Sequence, residues 1–181
     1  LALRPALSWA VPSASGVLVN DVTRLNPVWV DRLLTPHTTD DVRQALTTWS
    51  GPVSIGGARY SMGGQIAAEH SLHLDMRQFN RVLRYEPEAK VVRVQTGMRW
   101  RDLQSVIDPD DLSVKIMQSY ANFTIGGALS VNAHGRYVGA GPLINSVRAI
   151  QLALADGTLV EASRADHADL FHAAIGGYGA V

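Results

Sequence analysis

Cysteine is absent from the 181 residues, which excludes disulfides, cysteine–zinc sites, thiol catalysis and a cysteinyl cofactor linkage. No run of about 20 apolar residues is present, so the sequence holds no segment long enough to cross a membrane. Lysine plus arginine and aspartate plus glutamate both number 16, so there is no basic excess of the kind that binds nucleic acid. These absences leave the cellular compartment open.

A recognisable metal site is also missing. His70 and His73 flank a predicted strand on opposite sides, and His167 and His172 lack the spacing of helical metal ligands. We predict surface or capping roles for the histidines, no metal, and no acid–base pair of carboxylates. His134 is singled out because it follows a glycine-rich segment, where it either donates a hydrogen bond to a ring or phosphate or fixes a turn.

The stretch from Ser54 to Gln65 combines a short β-branched run with four glycines. It matches neither the G-x-G-x-x-G nor the P-loop pattern, and it has no nucleophile elbow. A glycine-rich backbone lets several N–H groups point into one concavity, which suits a phosphate. Ser61 adds a hydroxyl donor and Arg59 a positive charge. We hypothesise that this loop holds the pyrophosphate of a dinucleotide; the alternative is an ordinary surface turn.

A second glycine-rich stretch runs from Ser119 to Gly135. Thr124 is a predicted helix N-cap, which places Gly126 and Gly127 in the first turn. Bare N–H groups at the positive end of a helix would make this a second place for an anion or a flat ring. The alternative is close helix packing through small residues.

Predicted helices dominate the start of the chain and paired strands its middle and end, which indicates two interlocked lobes, one before about Thr96 and one after. Residues 1–36 are expected to be irregular, punctuated by Pro5, Pro12, Pro27 and Pro36. The predicted helices are 38–50, 99–107, a turn from 124, and 166–175, and the predicted strands are 16–19, 53–55, 71–76, 82–85, 91–96, 114–117, 147–155 and 158–162. Within the second helix, Trp100, Leu103, Val106 and Ile107 are expected to face inward.

These motifs, taken in order, resemble the FAD-binding (PCMH-type) domain of the vanillyl-alcohol oxidase or FAD-linked oxidase family, and most of all its sugar-lactone and alditol oxidase branch. The resemblance holds from about residue 35 to the end. It is carried by four segments: Gly56–Ser61, Asp75 to Leu83 with Val91 to Gly97, Thr124 to Gly135, and Asp156 to Val160 with Asp169 to Val181.

The resemblance implies an α+β domain of two lobes, a small one with parallel strands and one with an antiparallel sheet, that binds FAD between them. Many members carry a histidine in the loop that is bonded to the flavin; Tyr60 stands at that position here, which implies non-covalent FAD. Arg59 replaces a usual glycine and adds charge and bulk near the pyrophosphate. The implied cofactor-binding residues are Gly56, Gly57, Ala58, Arg59, Tyr60, Ser61, Met62, Gln65, Ser119, Ile125, Gly126, Gly127, Ser130, Asn132, His134 and Gly135.

The expected function is the FAD-binding half of an oxidoreductase that oxidises a polyol, sugar or lactone alcohol. One alternative is a reductase of the same fold that uses NADPH, and another is a binding module that has lost FAD. Residues 1–34 are expected to form an arm, following a removed signal or anchor, and 35–181 the FAD domain. Family members carry substrate selection on a cap domain, for which no counterpart is seen, so no catalytic base is assigned and the fragment alone is expected to be inactive.

Overall fold

A computed structural model describes residues 16–179, so the predictions made for Pro5, Pro12 and the rest of the arm before residue 16, and for the last two residues, lie outside them. The elements in chain order are β1 (Val17–Val19), β2 (Val28–Val30), β3 (Arg32–Leu34), α1 (Thr39–Thr48), β4 (Val53–Gly56), β5 (Leu72–Asp75), β6 (Val82–Glu86), β7 (Val91–Val94), α2 (Trp100–Ile107), α3 (Ile125–Ser130), β8 (Ala149–Ala153), β9 (Leu159–Ser163) and α4 (Ala168–Ala174).

A three-stranded parallel sheet in the order β3–β5–β4 carries the first half of the chain. Because β5 lies between two neighbours and under α1, all of its residues are buried. Parallel strands end at the same edge, and Gly56 at the end of β4 pairs with Asp75 at the end of β5. The glycine-rich loop leaves from that edge, as the sequence predicted.

The first helix begins at a capping box. Thr38 Oγ1 accepts from Asp41 N at 3.1 Å, and Asp41 accepts in return from Thr38 N at 2.8 Å, so two N–H groups of the helix end are satisfied. The inward face of α1 packs through Ala45 on Leu72 and Leu74 of β5. The helix predicted at 38–50 is thus confirmed.

The largest apolar core lies between α2, α3 and the β6–β7 hairpin. Trp100 and its predicted partners on α2 are buried, whereas Val106 is 37% exposed, so that part of the prediction is wrong. The predicted strand 114–117 is not formed either. Val114 N donates to the side chain of Gln104 at 3.2 Å instead of to a neighbouring strand, and Ile116 enters the core from an irregular segment.

The β8–β9 hairpin turns at Gly157, which has φ +81°. This turn docks on the first helix, since Arg43 Nε donates to Gly157 O at 3.1 Å across 114 positions of sequence. Phe171 of α4 covers the hairpin and lies in one core cluster with Ala162 of β9, and both are fully buried. Both the hairpin and the last helix were predicted.

Helices, one parallel sheet and antiparallel hairpins place the chain in the α+β class. Within residues 16–179, no helix combines the length and the apolar character needed to span a bilayer.

Candidate functional site

The glycine loop, residues 57–65, is fixed from outside by the connection between β1 and β2. Val22 N donates to Arg59 O at 3.0 Å, and Asn26 Nδ2 donates to Met62 O at 3.2 Å. Within the loop, Gln65 accepts from Gly63 N at 2.8 Å, so the predicted site residue Gln65 shapes the loop itself. These bonds give the loop a defined conformation.

The inner part of the loop carries unused hydrogen-bond donors. Among residues 16–179, no acceptor is found for the backbone N–H groups of residues 58–61. Ala58 and Tyr60 line a cavity, and Ser61 is exposed beside them. Consecutive N–H groups of this kind form a concavity for anions.

Gly56, the last residue of β4, and Gly57, the first residue of the loop, allow side chains of other segments to pack directly against the backbone. A Cβ on Gly56 would lie 2.7 Å from His73 Nε2, and a Cβ on Gly57 would overlap Thr124 Oγ1. Neither glycine has a positive φ; within the loop that conformation is taken by Arg59 (φ +65°) and Gly64 (φ +78°). The contact of Gly57 with Thr124 joins the two glycine-rich stretches that the sequence singled out.

Arg59 does not present its charge to the concavity, contrary to the sequence prediction. Its guanidinium donates to Asp75 Oδ2 at 2.9 Å and its side chain is 17% exposed. Burial alone would raise the pKa of Asp75, but hydrogen bonds from Arg77 and the charges of Arg77 and Arg59 outweigh burial and lower that pKa. The carboxylate is thus shared by two arginines, and Arg77 is the one with an exposed side chain.

His73 is fully buried on β5, so the prediction of a surface or capping role is wrong for this histidine. Its Nδ1 lies 3.0 Å from Ser54 Oγ, and its Nε2 is a buried atom without a hydrogen-bond partner among the described residues. Burial first, and then the charge of Arg59, lower the pKa of His73 to about 4. The side chain is therefore neutral at pH 7 and lies directly beneath the loop.

The start of α3 does not offer free donors, which corrects the second sequence hypothesis. Ile125 N donates to Met98 O at 2.8 Å, Gly126 N to Thr96 O at 2.7 Å, and Gly127 N to the capping Thr124 at 3.3 Å. A Cβ on Gly126 would lie 2.8 Å from Thr96 Cβ. These two glycines serve close packing, the alternative that the sequence left open.

The remaining predicted residues of this stretch are spread along and beyond α3. Ser130 Oγ donates to Gly126 O at 2.9 Å, and Asn132 Oδ1 accepts from Ile144 N at 3.1 Å. Ser119 and His134 are exposed, and Gly135 packs against the backbone of Met117. None of them lines the cavity next to the glycine loop.

A cavity of about 400 Å³ lies where the glycine loop, the end of β5, the start of α2 and the Thr124 cap meet. Its lining is Ala58, Tyr60, Arg77, Gln78, Asn80, Gly97, Arg99, Asp102, Asn122 and Thr124. A second cavity of about 290 Å³ shares Arg77 and Gln78.

Most of the cavity's polar side chains were missed from sequence. Arg77, Gln78 and Asn80 follow the carboxyl end of a parallel strand, which is where ligands bind in α/β sheets. Their place directly after a strand was therefore the feature of the sequence that could have identified them as site residues. Arg99 donates twice to Asp102, at 2.7 and 3.0 Å. In the sequence that pair is indistinguishable from an ordinary surface pair at the start of a helix.

Comparison with known proteins identifies the domain. A family model described as an FAD binding domain matches residues 30–163, which is most of the chain. The chain belongs to the FAD-linked oxidase family. L-gulonolactone oxidase of Mus musculus is 30% identical over 142 residues, which cover 77% of this chain and 32% of that protein.

Two further relatives belong to the sugar-lactone and alditol branch of the FAD-linked oxidases. Alditol oxidase of a Streptomyces species is 35% identical over 72 residues, covering 40% of this chain and 17% of that enzyme. The mitochondrial L-galactono-1,4-lactone dehydrogenase of Brassica oleracea is 30% identical over 119 residues, covering 64% of this chain and 20% of that enzyme. The chain thus spans about a third or less of the length of these relatives.

In this FAD-linked oxidase domain, Tyr60 belongs to an aromatic cluster at the cavity wall. Its ring lies edge-on to Tyr120 and Phe123 at centroid distances of 5.1 and 5.2 Å. The Tyr60 hydroxyl lies 3.0 Å from that of Tyr120, so the two phenols share a hydrogen bond in which either oxygen can be the donor. Tyr120 Oη also accepts from Asn122 Nδ2 at 3.1 Å.

The residues present fit the anionic part of FAD. The unbonded N–H groups of residues 58–61 supply neutral donors, and Arg77 and Arg99 supply charge on the same cavity. Among residues 16–179, no group of three or more histidine, aspartate or glutamate side chains is arranged to hold a metal ion.

Proposed function

We propose that this chain is the FAD-binding part of an oxidoreductase that oxidises an alcohol group of a polyol, sugar or lactone. The observation that supports it best is the row of unbonded N–H groups of residues 58–61 beside a cavity lined by two arginines. Such a row suits the pyrophosphate of a dinucleotide. The names of the relatives, L-gulonolactone oxidase and alditol oxidase, support the substrate class.

In this proposal the loop from Gly56 to Gln65 binds the pyrophosphate, with backbone N–H groups as the main donors and Ser61 as a side-chain donor. Arg77 and Arg99 contribute charge, while the Arg59 side chain stays on Asp75. The stretch from Ser119 to Gly135 lies toward the isoalloxazine, and the parallel and antiparallel parts of the domain act as two lobes around the extended cofactor.

We also propose that FAD is held without a covalent bond. Tyr60 occupies the position where many family members carry the linking histidine, and its hydroxyl is engaged with Tyr120.

When bound, FAD would supply the redox chemistry, namely acceptance of a hydride from the alcohol carbon, with the hydroxyl proton passing to a base and the two electrons passing on to oxygen or another acceptor. This chain's residues bind and orient the cofactor and keep its pyrophosphate neutralised. We assign no catalytic base to the chain, and we propose that selection of the substrate belongs to a cap domain of the complete protein.

The first test is a visible absorbance spectrum of the complete protein before and after acid precipitation. A flavin band that moves entirely to the supernatant is expected, because the cofactor is not covalently bound. A band that stays in the pellet would contradict non-covalent binding. No band, even after incubation with FAD, would exclude the flavoenzyme and favour a domain that has lost the cofactor.

The cavity arginines give a second, quantitative test. Arg77→Gln and Arg99→Gln are each expected to raise the Kd for FAD about tenfold, since each removes one charge-assisted contact with an anion. Arg148→Gln, an exposed arginine that does not line the cavity, is the matched control and should leave the Kd unchanged. Equal effects of all three would show that only the overall charge matters.

A further inference from the structure

A chain of hydrogen bonds beneath the glycine loop fixes the protonation of His73. Ser71 Oγ donates its only proton to Ala68 O at 2.7 Å, so it accepts from Ser54 Oγ, also at 2.7 Å. Ser54 has then used its own proton and accepts from His73 Nδ1 at 3.0 Å. The proton of the neutral imidazole is therefore on Nδ1, and Nε2 carries a bare lone pair.

That lone pair and one further polar group are buried without a partner among the described residues. They are the acceptor His73 Nε2 and the donor Arg59 Nε. Nε2 faces Gly56, and the Arg59 guanidinium binds Asp75, which lies two residues from His73 on the same face of β5. The carbonyl oxygen of Ile66 lies 3.9 Å from the position that a Cβ on Gly56 would take.

We propose that one buried water molecule links His73 Nε2 to Arg59 Nε, and that His73 is thereby a positioning residue for the dinucleotide loop; this rests on the proposed function of that loop. The water accepts from Arg59 Nε–H and donates to His73 Nε2 and to Ile66 O, which gives it the three hydrogen bonds usual for a buried water.

The link fixes the Arg59 side chain at two points, since Nη2 is already bound to Asp75. Arg59 has φ +65°, a conformation that a non-glycine residue holds only when its surroundings impose it. With the guanidinium held from Nε and Nη2, the backbone conformation at Arg59 is fixed, and with it the arrangement of the unbonded N–H groups of residues 58–61. The histidine acts on FAD only through Arg59.

Two substitutions separate this role from simple core packing. His73→Asn keeps a donor at the Nδ1 position for Ser54 but removes the acceptor at Nε2. His73→Gln keeps an acceptor near the Nε2 position but loses the bond to Ser54. The Kd for FAD, measured by quenching of flavin fluorescence on the complete protein, is expected to rise about tenfold in His73→Asn and less than about threefold in His73→Gln. Equal effects, or a larger effect of His73→Gln, would overturn the proposal.

A second measurement needs no variant to fold and no FAD to bind. Nitrogen-15 NMR of the histidine side chains in the unaltered protein should show His73 with a proton on Nδ1 and a bare, hydrogen-bonded Nε2 at neutral pH. A proton on Nε2 would overturn the link to Arg59. If the unaltered protein fails to bind FAD, the proposed function fails, and this spectrum still decides whether the hydrogen-bond link exists.

Discussion

Single glycines in this domain are required by what touches them. Gly56 admits an imidazole, Gly57 a threonine hydroxyl, and Gly126 the side chain of Thr96. The residue of the loop that needs a left-handed conformation besides Gly64 is Arg59. A glycine at that position would have no such strain.

Gly57→Ala is expected to weaken both folding and cofactor binding. The added Cβ overlaps the hydroxyl that caps α3, so the free energy of unfolding should fall by about 2 kcal/mol, and the Kd for FAD should rise. Gly63→Ala is the control in the same loop, because its Cβ would meet only the flexible amide of Gln65. Urea denaturation and FAD titration measure both effects. Equal losses in the two variants would contradict the contact with Thr124.

Asp75→Asn tests the shared carboxylate. The side chain is 5% exposed and bridges two arginines, so its removal leaves two positive charges side by side and should cost about 3 kcal/mol of stability. Asp102→Asn is the matched control, since the Arg99–Asp102 pair is 45% and 39% exposed and should cost less than about 1 kcal/mol. Similar losses in the two variants, measured by denaturant unfolding, would show that the bridge adds nothing.

Two elements, α1 and the β8–β9 hairpin, could be predicted from short stretches of sequence, because residues within each element determine its conformation. The Thr38 cap with its apolar spacing gave α1, and Asp156-Gly157 gave the β8–β9 hairpin. The 114–117 segment failed because its β-branched residues pack in the core, while a glutamine side chain takes the place of a strand partner. The apolar residues of this segment correctly indicate that it packs in the core. They do not indicate which group accepts the hydrogen bonds of its backbone N–H groups.

The docking of the β8–β9 turn on α1 is a contact between elements that can be measured. A Cβ on Gly157 would lie 2.5 Å from Thr47 Cγ2, and the glycine has φ +81°. Gly157→Ala should therefore destabilise the protein by about 2 kcal/mol, roughly half from strain and half from crowding. Adding Thr47→Ser removes the crowding methyl and should recover about half of the loss. No recovery in the double variant would mean that strain alone matters.

For the whole molecule, the charges balance, but the lining of the cavity holds two arginines against one carboxylate, Asp102. The formal net charge is zero, yet Arg77 and Arg99 line the same cavity. The site could not be read from composition, because it depends on which strands become neighbours. Chain order places β4 before β5, whereas the sheet order β3–β5–β4 buries β5 completely, including His73, and brings Arg77 to the shared edge.

Acid should destabilise the protein through His73 before the carboxylates titrate. In the unfolded chain a histidine has a pKa near 6.5, and burial with the charges of Arg59 and Arg77, opposed by Asp75, lowers the folded pKa to about 4. The unfolded state then binds more protons between these values. The contribution of His73 to the free energy of unfolding is fully present above pH 6.5, falls as the pH drops toward 4, and changes no further below pH 4.

The carboxylates with lowered pKa values, among them Asp75, lose their contribution below pH 3.8, so the window from 4 to 6.5 reports on His73. Unfolding free energies measured by urea across this window should show a slope in the unaltered protein and a flatter curve in His73→Gln. The same slope in both proteins would contradict the assignment to His73.

The hydrogen bond from Arg43 to Gly157 also sets an order of events during synthesis. The two residues are 114 positions apart, and a ribosome adds roughly 5–20 residues per second. The nascent chain therefore carries the first helix for roughly ten seconds before the turn that covers its side emerges. Translation speed over the middle of the message, and chaperones at the exit tunnel, are thus expected to influence the yield of folded protein more than changes near either end.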